Sequence, residues 1–356
     1  MAVAELRERL SAVPLRPARL RIGWLSAGIV ALIAAAFIGV FVGPVGIDPM
    51  QSLRKLVGLL PFVPDTSHLS ASHEAILMQL RLPRVVLAGI VGGTLAMSGA
   101  AYQGAFRNPL ADPYLLGAAA GAGLGATAVI VYTPAGVGSD VMPIAAFAGA
   151  LAAVALAYAV GRAGGPGRTA TTLVLAGIAV MSFFTALQTY VLQRRSDAVR
   201  EVYGWILGRL STVGWSDVVL VLPYVAVGAT AIIVHRRLLD VLALGDDEAE
   251  AVGVPARRVR LIVVVAASLS TAAVVAVSGL IGFVGLIVPH VVRLIAGTSY
   301  RVILPLSICF GGAFLILADV MGRTIISPAE LPIGVITAFF GAPFFALVLR
   351  TSRKML

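Results

Sequence analysis

Long apolar runs alternate along this chain with short polar breaks marked by proline or glycine, and the rhythm is that of helices crossing a bilayer. One crossing takes about 20 apolar residues. The pattern predicts helices over 23–43, 85–106, 113–133, 141–161, 170–192, 215–235, 259–278, 281–297, 302–321 and 331–350. The run from Leu261 to Gly297 is too long for one simple helix and short for two. Ser278-Gly279 and Gly282 supply a break there, and Pro289 interrupts the second half of the run. Residues 44–83 hold Pro44, Pro49, Pro61 and Pro64, so they are expected to be a mostly irregular outer loop. Between the fifth and sixth runs, Val199, Val202, Tyr203, Ile206 and Leu210 recur at helical spacing. They predict a short amphipathic helix over 197–210, lying along the outer surface or plugging a cavity mouth.

Composition agrees with the pattern. Charged residues make up 12% of the chain, against about a quarter in a soluble domain, and mean hydropathy is +0.97. The net charge of +10 sits in short loops beside apolar runs, which is the signature of topology and not of nucleic-acid binding. Arg7, Arg9, Arg16, Arg19 and Arg21 precede the first run and place the N-terminus inside. A nine-helix count would leave Arg350, Arg353 and Lys354 outside, whereas ten helices put them inside. The expected fold is therefore an all-α polytopic membrane protein of about ten transmembrane helices. Residues 1–22 form a cytoplasmic N-terminal segment, 23–350 one transmembrane domain, and 351–356 a cytoplasmic tail. The first run is read as an uncleaved helix because a signal peptide has a shorter apolar core. Cys309 is alone and lies in an apolar run, which excludes a disulfide framework.

Polar chemistry is sparse and concentrated. Gln103–Gly117, QGAFRNPLADPYLLG, cannot face hydrocarbon, because its backbone would lose hydrogen bonds with nothing to replace them. It must lie at a membrane surface or line a protein-walled water path. Gly117, Gly121 and Gly125 recur every fourth residue and mark a close helix contact; the GAGLGA string among them lacks the strand that a dinucleotide site needs. No phosphate-loop motif occurs, so ATP, if it drives the protein, is hydrolysed by another chain. No carboxylate falls at a predicted mid-bilayer position, which disfavours a self-sufficient ion-coupled carrier. No nucleophile elbow, paired carboxylates or Cys/His cluster supports an enzyme, and His68 and His73 lack a third metal ligand. His290, after Pro289, is read as satisfying exposed backbone.

Two charged sets remain. The inner segment 239–258, within LDVLALGDDEAEAVGVPARRVR, predicts a short helix capped by Asp247 with Glu250 reaching back, and stopped by Gly253 and Pro255. It reads either as a solvated connector or as a rigid knob for a cytoplasmic partner. On the outer side Arg81, Arg84 and Arg323 suit acidic groups on a docking protein, with an Asp319–Arg323 ion pair as the local alternative.

Five strings resemble one family in order and spacing: LRLPR at 80–84, SGAAYQGAFRNPLADPYLLG at 98–117, LGDDEAEAVGVPARR at 244–258, SGLIGFVGLIVPHVVRL at 278–294 and AELPIGVITAFFGAPFFALVLR at 329–350. From about residue 76 onward the chain is similar to the iron-siderophore, haem and cobalamin permeases of type II ABC importers. The resemblance implies a cobalamin-importer-permease-like fold and a homodimer enclosing one pathway in a bacterial cytoplasmic membrane. Two cytoplasmic ATPase subunits would carry ATP and magnesium, and an extracytoplasmic substrate-binding protein would dock above. No cofactor or metal would be held by this chain. Leu244, Gly245, Asp246, Asp247, Glu248, Gly253 and Pro255 match the ATPase-coupling segment. Arg81, Arg84 and Arg323 match the docking arginines, and Asn108 and Leu110 match the cytoplasmic gate. Residues 170–210 match the pathway wall and outer gate. Arg107 stands where relatives can carry an acidic residue. The implied cargo is a ferric siderophore or haem, with cobalamin as the alternative, moved by alternating access.

Overall fold

The computed structural model describes residues 20–133, 138–163 and 170–352. Most of the expected N-terminal segment and tail, up to residue 19 and from 353, lies outside the described residues, as do 134–137 and 164–169. Among the described residues every regular element is helical: α1 Ile22–Phe41, α2 Pro49–Val57, α3 Ala71–Phe106, α4 Ala118–Tyr132, α5 Gly138–Ala163, α6 Ala170–Arg194, α7 Val199–Ile206, α8 Trp215–Val234, α9 Arg236–Leu242, α10 Asp246–Ala251, α11 Ala256–Ser278, α12 Val284–Ala296, α13 Tyr300–Thr324 and α14 Ile333–Ser352. α1, α3, α5, α6, α8, α11 and α13 are long and apolar enough to span a membrane, and α4, α12 and α14 are shorter apolar helices. These ten account for the ten runs of the sequence.

α3 is the axis of the subunit. Its most apolar window is 83% buried, against 22% for α1, α6 and α8 at the periphery. It packs on α13, α11, α12, α8 and α1. Small residues permit this. A Cβ on Gly92 would lie 2.2 Å from the Gly311 carbonyl oxygen of α13, and one on Gly99 would lie 2.1 Å from that of Gly285 in α12. The expected Gly121/Gly125 face does the same for α4, each glycine meeting an α5 carbonyl oxygen at 2.1 Å from its would-be Cβ. Close backbone approach replaces the hydrophobic drive that lipid cannot supply.

Besides the short outer helix, which closes at Ile206 and not at 210 because Gly208 turns the chain at φ 74°, three boundaries differ from expectation. The outer segment 44–83 is not mostly irregular. Pro49 stands at the start of α2, where no N–H is needed, and the Asp48 carboxylate accepts from the Met50 N–H at 2.8 Å. Pro83 does not stop α3 either. A π turn over Ile76–Arg81, with the Leu82 N–H bonded to the Leu77 carbonyl, loosens the helix just where the proline ring would clash. Third, α4 begins at Ala118 and not at 113, because Pro113 and the turns through 108–117 keep that backbone out of helix.

The α3–α13 contact yields a direct test. Gly92→Ala should lower the thermal midpoint of the purified protein by several degrees, consistent with an overpacking cost of about 1–3 kcal/mol. Gly23→Ala, with nothing within 4 Å of the added carbon, should leave it unchanged. Equal midpoints would contradict the close-contact account.

Candidate functional site

α3 ends at Phe106, its capping residue Arg107 takes a left-handed φ of 50°, and the chain then turns through Asn108–Gly117. The turn is built from side chains as well as backbone. The Asn108 Oδ1 accepts from the Leu110 N–H at 2.9 Å, and the Asn108 N–H returns to the Gln103 carbonyl at 3.1 Å. Leu110 is 43% exposed. With Pro109 it lines a small apolar pocket completed by Leu286, Ile287 and His290 of α12 and Phe344 of α14. The His290 ring lies edge-on to Phe344, 5.8 Å between centroids, so it is a pocket wall instead of a backbone partner.

The acidic knob lies beside this hinge. α10 is six residues long, and Gly245 is its N-cap without any side-chain cap bond. The expected capping by Asp247 and Glu250 does not form. The helix starts earlier, at Asp246, whose carboxylate is claimed by Arg260 on α11 at 2.6 Å. The same guanidinium donates from Nε to the Ala105 carbonyl at 2.7 Å. Arg107 approaches Asp246 at 3.8 Å. One carboxylate thus joins the knob to the last turn of α3 and to the residue next to Asn108. The Arg260 hydrogen bond holds the Asp246 carboxyl below the usual carboxylate range, so the bridge is ionised at neutral pH. Leu244 and Val252 are 72% and 68% exposed on this knob, beside Asp247, Glu248 and Glu250. Gly253 (φ 82°) ends it as expected, and Pro255 leads into α11. Asp240, which the sequence did not single out, accepts from Ser299 Oγ (2.7 Å) and the Tyr300 N–H (2.6 Å), tying α9 to the start of α13.

The other charged set is at the opposite end of α3. The Leu82–Phe106 stretch rises about 37 Å between them. Here Arg84 forks onto Asp319 (2.8 and 2.9 Å) and Glu330 (2.9 and 3.0 Å). Arg323 is 3% exposed, pairs with Asp319 at 3.5 Å and donates to the Gly39 carbonyl. Arg81 is 5% exposed and donates to the Val40, Phe41 and Val45 carbonyls. Arg84 and Arg323 share Asp319, while Arg323 and Arg81 bind separate carbonyls at and just after the end of α1, so together the three arginines pin α1, α3, α13 and the loop to α14. Asp319 serves both Arg84 and Arg323, so the local ion pair expected from sequence exists inside a larger cluster.

A third feature is a polar stripe. Ser182, Thr185, Thr189, Tyr190 and Gln193 line a shallow depression on the exposed face of α6 with Met181. The hydroxyls of Ser182 and Thr189 bond back to carbonyls four residues earlier. They present a hydroxyl-bearing surface beside the exposed Met181, and at its end the Arg194 guanidinium donates to the Tyr190 hydroxyl at 2.7 Å and lies over that ring. α7 follows at the end of α6, with Val202 and Trp205 buried and Tyr203 exposed. Among the described residues no group of three or more His, Cys, Asp or Glu could hold a metal.

Comparison with known proteins adds the family. The model of the FecCD transport family matches residues 31–351. An uncharacterized ABC transporter permease protein of Bacillus subtilis is 43% identical over 280 residues, 78% of this chain and 79% of that protein. A cobalamin import system permease of Halobacterium salinarum is 43% identical over 288 residues, 81% and 75% of the two chains. A hemin transport system permease of Yersinia pestis is 38% identical over 287 residues, 78% and 84%. Among solved structures, a transporter described as of the metal-chelate ABC type in an inward-facing conformation superposes with a TM-score of 0.77 at 26% identity. It covers 92% of this chain and 98% of that one.

The Asp246 bridge generates its own test. Arg260→Ala should raise amide hydrogen exchange at Arg107 and Asn108 several-fold, and the paired exchange Asp246→Arg with Arg260→Asp should recover part of the protection. A carboxylate with a depressed folded pKa contributes above its unfolded value and loses that contribution only as pH falls through the folded one. The wild-type protection should thus be flat between about pH 5 and 8. Unchanged exchange in the alanine variant would remove the bridge from the hinge.

Proposed function

Since the chain belongs to the FecCD transport family, we propose that it is the membrane permease subunit of an ATP-driven importer for a metal chelate, working by alternating access. The observation that carries this is the joining of an exposed acidic knob to a proline-rich hinge through Asp246, Arg260 and Arg107. A partner that moves the knob moves the hinge. The basic bias of the loops supports a cytoplasmic knob end and an outer Arg84–Asp319 end.

The partner at the knob is a pair of separate ATPase chains. Exposed Leu244 and Val252 supply apolar contact, Asp247, Glu248 and Glu250 supply charge, and Gly245 and Gly253 hold the shape. Asn108 and Leu110 act as the cytoplasmic gate, with the pocket against α12 and α14 taking up Leu110 as the mouth changes width. The stripe on α6 is one wall of the pathway, and a second copy of the chain supplies the facing wall. A binding protein docks at the far end. Arg84 and Glu330 are the members of the charge cluster nearest its surface, while Arg81 and Arg323 would have to release backbone carbonyls of 39–45 to reach a partner, so they support the docking face from beneath.

The middle of the wall is hydroxyl-rich, with the charge of Arg194 at its end, so it slides cargo with little selection, and selection falls to the binding protein. A ferric siderophore or haem is the first reading of the cargo; the hemin permease relative at 38% identity supports it. Cobalamin is the second, supported by the relative at 43%.

Reconstitution tests the whole reading. Liposomes holding the permease with its ATPase and binding protein should accumulate the chelate only with ATP. Uptake by the purified chain alone under an ion gradient would replace this reading with an ion-coupled carrier. Within the complex, Gly253→Val, which forces a side chain into φ 82°, should cut uptake at least tenfold while hydrolysis persists, or should block ATPase assembly. Normal coupled uptake would remove the coupling role from this segment.

A further inference from the structure

Two stretches of backbone leave the helix inside the apolar bundle, the hinge 107–117 and the break 279–283 between α11 and α12. They lie far apart in sequence and meet at one side chain. The Tyr114 hydroxyl donates to the Ile281 carbonyl at 3.1 Å and accepts from the Ile281 N–H at 3.2 Å. A single phenol thereby satisfies both backbone groups of a residue that is 1% exposed. The ring is held from its own side, since the Asp112 carboxylate accepts from the Tyr114 N–H at 2.8 Å and the Tyr114 carbonyl accepts from the Gly117 N–H at 2.8 Å. Pro113 presses on α12, with its Cδ 2.6 Å from where a Cβ of Gly285 would stand.

The break is in turn bound to the segment after α7. The Arg209 N–H donates to the Ser278 carbonyl at 2.8 Å. Gly279 (φ 70°) faces the Trp205 carbonyl oxygen so closely that a Cβ would lie 2.2 Å from it, and a Cβ on Gly208 would lie 2.7 Å from the Leu280 oxygen. The start of α14 joins through the Gly334 N–H to the Leu207 carbonyl at 2.9 Å. A continuous bonded path therefore runs from Asn108 and Leu110, through Tyr114 and Ile281, to α7.

We propose that Tyr114 is the positioning residue that keeps the gate hinge and the α7 segment in register, so that the two mouths of the pathway change together. The proposal rests on the transport reading above. Because Ile281 is 1% exposed, breaking the clasp leaves a buried N–H and C=O unpaired, and the hinge cannot shift without either carrying the break with it or meeting that cost. Displacement at one mouth is thereby transmitted to the other.

The test uses the full complex with Tyr114→Phe, which keeps the ring and deletes the clasp. Tyr102→Phe is the control, since it deletes a fully buried hydroxyl bonded to Ser268 Oγ at 2.6 Å, outside both loops. Spin labels at Leu110 and at Tyr203 report the two mouths across the dimer, and cargo taken up per ATP hydrolysed is measured separately in unlabelled complexes. In the wild type both distances should change together with nucleotide. In Tyr114→Phe one should change without the other, and uptake per ATP should fall about tenfold, while Tyr102→Phe keeps the wild-type ratio. Correlated distances with an unchanged ratio in Tyr114→Phe would overturn the proposal, and so would an equal loss in Tyr102→Phe. If the wild-type complex takes up no cargo with ATP, the transport reading fails by itself. The clasp is then judged by amide exchange at Ile281, which Tyr114→Phe should accelerate and Tyr102→Phe should leave alone; no acceleration would sink it.

Discussion

Backbone that leaves a helix inside a membrane must find its hydrogen bonds in protein, and that requirement organises this molecule. The hinge after α3 and the break before α12 are the two places where it bites. Each is surrounded by groups that would otherwise have no reason to converge. The Gln103 side chain donates to the Gly285 carbonyl and accepts from Arg293, Tyr114 serves Ile281, and Ser278 accepts from Arg209. For these contacts to form, α3 must lie within van der Waals reach of α12 and α13, and the glycines at 92, 99, 285 and 311 are what let it. The packing of the bundle and the solvation of its broken backbone are one problem with one solution.

That coupling explains which parts of the molecule were legible in the sequence. The apolar runs are local signals, and so the ten helices, the break after Ser278 and the knob ended by Gly253 could be read directly. Prolines misled where a cap or a π turn absorbed them: Asp48 makes Pro49 a helix start, and the wide turn at Ile76–Arg81 lets α3 run through Pro83. A proline reports a missing donor, and the consequence depends on whether a neighbour has already made that donor unnecessary.

The candidate site was legible in its members more than in its bonds. Asn108, Leu110, Asp246 and the three arginines could be named from their motifs. Their partners could not, because Arg84–Glu330, Arg323–Gly39 and Tyr114–Ile281 join positions with no local relation. Arg107 shows the difference. As a sequence letter it stood where relatives can carry an acid, with no partner in view. In the fold it faces Asp246, while Arg260 secures the same carboxylate to the end of α3.

Charge placement completes the picture. The strong pairs gather at the two ends of α3, where each Arg or carboxylate can be satisfied by several fixed donors or acceptors, and the exposed middle of α6 carries hydroxyls among apolar side chains such as Met181, Phe183 and Leu187. A buried charge left along that wall would hold an oppositely charged cargo by several kcal/mol and would have to release it on every cycle. An uncharged wall avoids that trap. The cost is discrimination, because hydroxyls already bonded to their own helix offer little that distinguishes one chelate from another. For the pathway proposed above, such a wall would favour turnover over recognition, and the charged ends would be left as the surfaces where partners supply selectivity and force.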